Sequence, residues 1–318
     1  MLEVDEYIGV AAVLKPMAGR YLKDRAWLYA AFVVFIAVVS SIILLLPYET
    51  VYVRDRAYLR LFLGTIIVCL GVFFAGILYN FLVWMQGKGL TGAPEGRLLR
   101  TIARSLRAAF SRRFGRILSV FVKDAIYLSK LKDRSVTRWS MHLLILGGFL
   151  VTFLLDLVVT FSLDIVHYEP MIADGGWAKV WIRDFAFDLA GLMMLAGLVI
   201  AAVRRFVVRP KIVRTELSDA TSILFLLAVV LGGFILEGIG IAGSIPGHHV
   251  DDTYSFVGYI FSKAMPATIG QYYDAVWLIH GLMSALLIAY IPFSKLFHMV
   301  ATPIAIEAEA MLPHEVRA

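Results

Sequence analysis

Three histidines stand in stretches otherwise built from Leu, Ile, Val, Phe and Gly: His142, His280 and His298. A neutral imidazole presents a lone pair without a charge to bury, so it suits axial ligation of a haem iron in apolar surroundings. The commoner use of a lone histidine there is a hydrogen bond in a core. Spacing argues for ligation. His280 and His298 are 18 residues apart. On one continuous helix that is five full turns, which puts both on one face about 27 Å apart. Gly147 and Gly148, one turn beyond His142, carry no side chain and would let a flat macrocycle approach the backbone. Asp156 and Glu237 also lie in apolar sequence and suit a proton relay. Hydrogen-bonding to neighbouring helices is the equal alternative for both. Asp188, four residues into its apolar block, reads as snorkelling outward as readily as functional. Asp274, beside Tyr272, Tyr273 and Trp277, reads as an interface residue.

The elements that must position these groups are long. The chain has 318 residues, 60% hydrophobic and 17% charged, with mean hydropathy +0.80. A soluble domain is nearer half apolar and a quarter charged. The surplus falls in six blocks: Ala26–Leu46, Leu61–Met85, Met141–Leu163, Phe185–Val203, Ser222–Gly243 and Tyr272–Phe293. Each is long enough as a helix to cross a hydrocarbon layer of about 30 Å. The expected fold is therefore all-α, a polytopic membrane bundle of six transmembrane helices. Ionisable groups inside such spans are costly and are functional candidates by default. The first 25 residues mix acids and bases without an apolar core, so the first block is expected to act as an uncleaved anchor.

Charge sets the sidedness. The net charge is +6, and thirteen Lys and Arg residues lie between Gln86 and Trp139. The N-terminal tail, the 204–219 loop and the C-terminal tail hold most of the others. The positive-inside rule then puts both termini and the 86–139 segment in the cytoplasm. The lipid bilayer and its headgroups account for the basicity, so no nucleic-acid partner is expected. By this topology His142 and His298 share a depth at the cytoplasmic end and can clamp one iron. Within the basic segment, Leu98, Ile102, Leu106 and Phe110 alternate with Arg97, Arg100, Arg104 and Arg107 at helical spacing. Interfacial helices on anionic lipid and a docking platform for a cytoplasmic subunit are equally good readings. The organisation expected is 1–86, an N-terminal tail and two spans; 87–138, the basic segment; 139–303, a haem-binding four-helix core; and 304–318, a cytoplasmic tail.

Cys69 is the single cysteine, so neither covalent haem attachment nor an iron–sulfur cluster can be held by this chain. Any such cluster belongs to a partner. Gly238-Ile-Gly240-Ile-Ala-Gly243 matches the dinucleotide fingerprint but ends an apolar block and follows no strand. Close helix packing is the better reading.

The run Pro292-Phe-Ser-Lys295-Leu-Phe-His298-Met-Val-Ala-Thr-Pro303, with His280 upstream, resembles the last span of respiratory nitrate reductase gamma subunits. The stretch Arg134-Ser-Val-Thr-Arg-Trp139-Ser-Met-His142, then Gly147-Gly-Phe149, is similar to membrane subunits of heterodisulfide-reductase-like and sulfite-reduction-associated complexes of the same superfamily. The resemblance covers roughly residues 114–303. It implies a membrane cytochrome b that moves electrons between menaquinol or another quinone and a cytoplasmic iron–sulfur subunit, with further membrane or extracytoplasmic subunits allowed. It also implies one or two b haems, the inner on His142 and His298. The family's second histidine, ten residues after the first, is replaced here by Thr152. The outer iron would then have His280 with His167, His248 or His249, or His280 would serve a quinone near the outer surface, with Glu237 or Asp156 relaying protons. A membrane anchor without a redox cofactor and a proton-coupled transporter are the rival readings.

Overall fold

The computed structural model describes residues 56–84, 114–172, 175–208, 217–246, 248 and 253–311, together with the single residues Val34, Ala37, Ala103 and Arg107. The expected first span at 26–46, most of the arginine-rich run at 97–113, and His249 lie outside the described residues. Val34 and Ala37, both helical and exposed, are all that is described of the unit spanning Met1–Tyr48.

Every regular element among the described residues is helical. The helices are α1 (Arg56–Trp84), α2 (Phe114–Val120), α3 (Ser129–Arg134), α4 (Val136–Thr160), α5 (Glu169–Ile172), α6 (Phe187–Ala202), α7 (Leu217–Ala242), α8 (Phe256–Lys263), α9 (Tyr273–Tyr290) and α10 (His298–Met311). Five continuous helical stretches have the length and composition to cross a membrane: Arg56–Val83, Val136–Leu163, Lys179–Val208, Asp219–Ala242 and Ala267–Phe293. They cover the last five apolar blocks to within two residues at their ends. The helices outgrow the blocks because backbone hydrogen bonding continues past the point where side chains turn polar. The stretch around α6 starts at Lys179 rather than near Phe185, since Lys179, Arg183 and Asp184 pair with one another there.

The spans pack in a row: α4 on α6, α6 on α7, α7 on α9, and α9 on α1, while α4 scarcely touches α7 or α9. Small residues let backbones approach at these crossings. A Cβ at Gly148 would lie 2.6 Å from the Ala190 carbonyl oxygen, and one at Gly197 would lie 2.9 Å from the Met141 carbonyl oxygen. The glycines of the 238–243 run do the same. Gly238 faces Phe261 of α8 and Gly243 faces Gly270, so this run is a packing surface. The main core gathers Met194 and Leu198 of α6, Val230 and Phe234 of α7, and Leu287 and Ile291 of the last span. Phe153, Leu157, Val199, Leu224 and Ile279 point outward and are exposed, as lipid-facing side chains are.

The last span is broken, which corrects the expectation of one helix carrying His280 and His298. α9 ends at Tyr290, two short 3₁₀ turns follow at Ile291–Phe293 and Lys295–Phe297, and Ser294 between them is extended at φ −125° and ψ 174°. Pro292 is the cause, because it has no N–H to continue the helix. The break docks on α1: the Asn80 amide donates to the Pro292 carbonyl at 3.0 Å. Gly76 makes room for the Pro292 ring. His298 therefore opens a new helix, α10, and the five-turn register between the two histidines does not hold.

Candidate haem and proton sites in the helical bundle

His142 lies near the start of α4, two turns after the Ser135 N-cap. Its Nδ1 is 2.8 Å from the Arg138 carbonyl oxygen. His298 repeats the arrangement, its Nδ1 lying 2.5 Å from the Lys295 carbonyl oxygen. In both rings an Nδ1–H given to a backbone carbonyl fixes the tautomer and leaves the Nε2 lone pair for a metal. The two rings are near enough to interact electrostatically, and Arg138 and Arg204 also act on His142. With one ring nitrogen of each turned to backbone, His142 and His298 would hold a haem iron through their other nitrogens. Among the described residues no three His, Cys, Asp or Glu side chains gather as a metal cluster.

The elements around this end are tied by charge. Asp219 at the start of α7 pairs with Arg205 beyond α6, and it accepts from the Lys295 ammonium at 3.0 Å. This ties the turn that carries the Lys295 carbonyl to α6 and α7. The basic segment joins the same end: α2 and the π-helical turn Phe121–Ile126 pack against α10. A left-handed residue, Leu128 at φ 57°, turns the chain into α3. The Trp139 indole then donates to the Tyr127 carbonyl at 2.7 Å, which fixes the entry to α4.

At the other level, His280 lies against Gly232 and Gly233 of α7, where a Cβ on Gly232 would come within 3.1 Å of its Nδ1. That Nδ1 is enclosed and has no hydrogen-bond partner. None of the described candidates joins it. His248 packs on Gly240, two turns further along α7, and beside Tyr273 at a ring separation of 6.0 Å. His167 is an exposed left-handed loop residue at φ 54°. Thr152 is one turn beyond Gly148, on the side of α4 that meets α6, and its enclosed hydroxyl is unpartnered.

The acids separate into two situations. Asp188 is 2% exposed and not snorkelling. Its carboxylate accepts from the Val257 N–H at 2.5 Å and also from the Gly258 N–H, so it caps α8 from another helix. Glu237, half-buried on α7, is hydrogen-bonded to Asp188 and to the Ser255 hydroxyl. A Cβ on Gly258 would collide with the Glu237 side chain, so α8 closes tightly over this pair. Asp156 is exposed on α4, which scarcely meets α7, and it does not join Glu237 in one relay.

The nitrate reductase gamma-subunit family model matches residues 176–311. A subunit of the dihydromethanophenazine:CoB–CoM heterodisulfide reductase of Methanosarcina mazei is 30% identical over 251 residues, covering 74% of this chain and 88% of that protein. Its counterpart from Methanosarcina acetivorans is 30% identical over 256 residues, 76% of this chain and 88% of that one. The chain belongs to the family of these heterodisulfide reductase subunits, and its C-terminal part is similar to nitrate reductase gamma subunits. An EtfAB:quinone oxidoreductase of Syntrophomonas wolfei is also similar, 26% identical over 176 residues, 51% of this chain and 24% of that protein. No solved structure matches.

As a member of that family the chain is a multi-pass protein of a prokaryotic cytoplasmic membrane and a membrane redox subunit. Of the residues singled out in the sequence, the structure brings His142 and His298 together and leaves His280 apart at its own level. It gives Gly148 to the α4–α6 crossing, where backbone fills the place assigned to a macrocycle, while Gly147 meets only the Met193 terminal methyl at 3.4 Å. Sequence reading missed the link between Asp188 and Glu237. The available signal was that both are acids in apolar blocks, yet their pairing depends on the 244–271 connection folding back through Ser255.

Proposed function

We propose that this subunit is a membrane cytochrome b that carries electrons between a quinone-type carrier and a cytoplasmic iron–sulfur subunit. The observation that supports it most is the pair His142 and His298, each with Nδ1 turned to its own backbone and Nε2 free. A b haem bound there would supply one-electron transfer. The chain's part is to hold both rings in one tautomer, to tie His298 to α6 and α7 through Lys295 and Asp219, and to keep the surroundings apolar.

The positive-inside bias supports placing this end in the cytoplasm, with both termini on that side and six spans in all. The basic 86–139 segment, of which Phe114–Val120 and Phe121–Ile126 pack against α10, is the docking surface for the iron–sulfur subunit. The carrier binds in the outer half near His280, whose unpartnered ring nitrogen suits a carbonyl or hydroxyl head. Glu237 exchanges its protons. The names of the relatives support a redox-active, proton-carrying partner, since one names dihydromethanophenazine and another a quinone. A single inner haem fits the described residues better than two, because no described histidine pairs with His280.

The test is reduction of the purified full chain by a menaquinol analogue, followed in the visible spectrum. A b-type spectrum that appears on adding quinol supports this reading. A chain isolated from its native membrane with no b haem is a non-redox anchor, and a haem that quinol does not reduce removes the carrier site.

A further inference from the structure

Carboxylates accept hydrogen bonds and cannot donate them, so two carboxyl groups bonded to each other must share a proton. Asp188 and Glu237 are in that position, both against the first turn of α8, Asp188 on the Val257 N–H and the Glu237 carboxyl on Gly258. The surrounding bonds say which of them carries it. Asp188 already accepts two backbone N–H groups at the first turn of α8, which favours its ionised form. Glu237 accepts one hydroxyl, from Ser255, and faces an anion. It is the donor. We propose that Asp188 is the positioning residue that keeps Glu237 protonated, so that the pair stores one exchangeable proton beside His280.

The neighbours make this charge arrangement self-consistent. The π-helical turn Lys179–Ala186 enters α6 directly before Asp188. Within it the Lys179 ammonium and the Arg183 guanidinium both bind Asp184 at 3.1 Å, and Asp184 acts electrostatically on Glu237. Two cations and one anion leave a local charge of +1, which a singly protonated acid pair cancels. Full ionisation of the pair, or its full protonation, would leave an uncompensated charge in an enclosed place. Other charged or titratable groups on the packed elements are Tyr259 with the Lys263 ammonium 4.2 Å over its ring, Tyr273 and Asp274 at the start of α9, and Asp219 at the far end of α7, with His248 beside Gly240. π-Helical turns recur at functional sites, and this one sets the register that joins the two groups.

Glu237 is four residues after Gly233, so its carboxyl is one turn, about 6 Å, from the level of the His280 ring. The use of the proton by a bound quinone rests on the function proposed above. The sharing of the proton does not.

Infrared spectroscopy of the full chain separates the two. Wild type should show a protonated-carboxyl band at neutral pH that shifts in heavy water. Glu237→Gln should delete it. Asp188→Asn should move the band and make it vanish at lower pH than in wild type, while Asp188→Glu restores the wild-type course. Ser255→Ala, which leaves both acids, should keep the band with the opposite, upward displacement of its pH course. The haem spectrum should stay unchanged throughout, so a loss of haem reduction with these bands intact would count against the carrier site alone. A band that survives Glu237→Gln, or that ignores Asp188→Asn, overturns the shared proton.

Discussion

Replacing Gly148 by Ala adds one methyl group at the α4–α6 crossing, where its neighbours are backbone. The new Cβ would stand 2.6 Å from the Ala190 oxygen, 2.8 Å from the Met194 nitrogen and 2.9 Å from the Met194 Cβ, against an ordinary contact of 3.4 Å or more. Helix backbone cannot swing aside as a side chain does, so the two helices must separate by about 0.8 Å (3.4 − 2.6). Overpacking of this kind costs about 1–3 kcal/mol, or roughly 5- to 150-fold in the folded population. Gly147 is the internal control. Its added Cβ would meet only the Met193 methyl at 3.4 Å, an ordinary contact, so Gly147→Ala should be neutral or slightly stabilising. Gly197→Ala should resemble Gly148→Ala, and the double variant should cost less than the sum, because both push the same helices apart. Thermal unfolding of the full chain in detergent, followed by circular dichroism, reads the difference, with haem content measured alongside. Equal losses at Gly147 and Gly148, accompanied by loss of haem from both, would refute the packing assignment and restore the macrocycle cradle.

Other outcomes follow from the same geometry. Glu237→Gln should slow quinol-driven haem reduction at least tenfold, whereas Asp156→Asn, exposed on α4, should leave the rate within twofold in the same stopped-flow assay. Asp219→Asn removes an ion pair from both Arg205 and Lys295. Its cost in stability should exceed the roughly 1 kcal/mol of an exposed pair, because the Arg205–Asp219 arm is largely buried, and the haem spectrum should shift as the turn before His298 relaxes. Reversing Arg104, Arg107, Arg112 and Arg113 to Glu should release the iron–sulfur partner with haem retained, and co-purification at normal yield would assign the segment to lipid alone.

Five of the six expected spans, those among the described residues, were legible in the sequence because a helix in lipid has to hide its backbone and show apolar side chains, which leaves an uninterrupted run. Their ends were not. The start of the α6 span was misplaced because Lys179 and Arg183 both pair with Asp184 inside the protein, which composition cannot display. Alternating spans and the motif around His298 put His142 and His298 at one end in the sequence, and in the structure the two rings are near enough to interact electrostatically. The five-turn register of His280 and His298 failed at Pro292, whose presence already argued against one continuous helix. The acid pair was out of reach for a different reason. It joins residues 188, 237 and 255 through a loop capped onto α8, and no periodicity carries information about such a contact.

The central claim is that His142 and His298 hold one b haem. Haem-to-chain ratio and the reduced-minus-oxidised spectrum of purified His142→Ala, His298→Ala and His280→Ala variants test it together. The first two should each lose the inner haem and its spectrum, while His280→Ala should keep both and lose only quinol-driven reduction. Unchanged haem content in the His142 and His298 variants, or loss of all haem from the His280 variant alone, would contradict it.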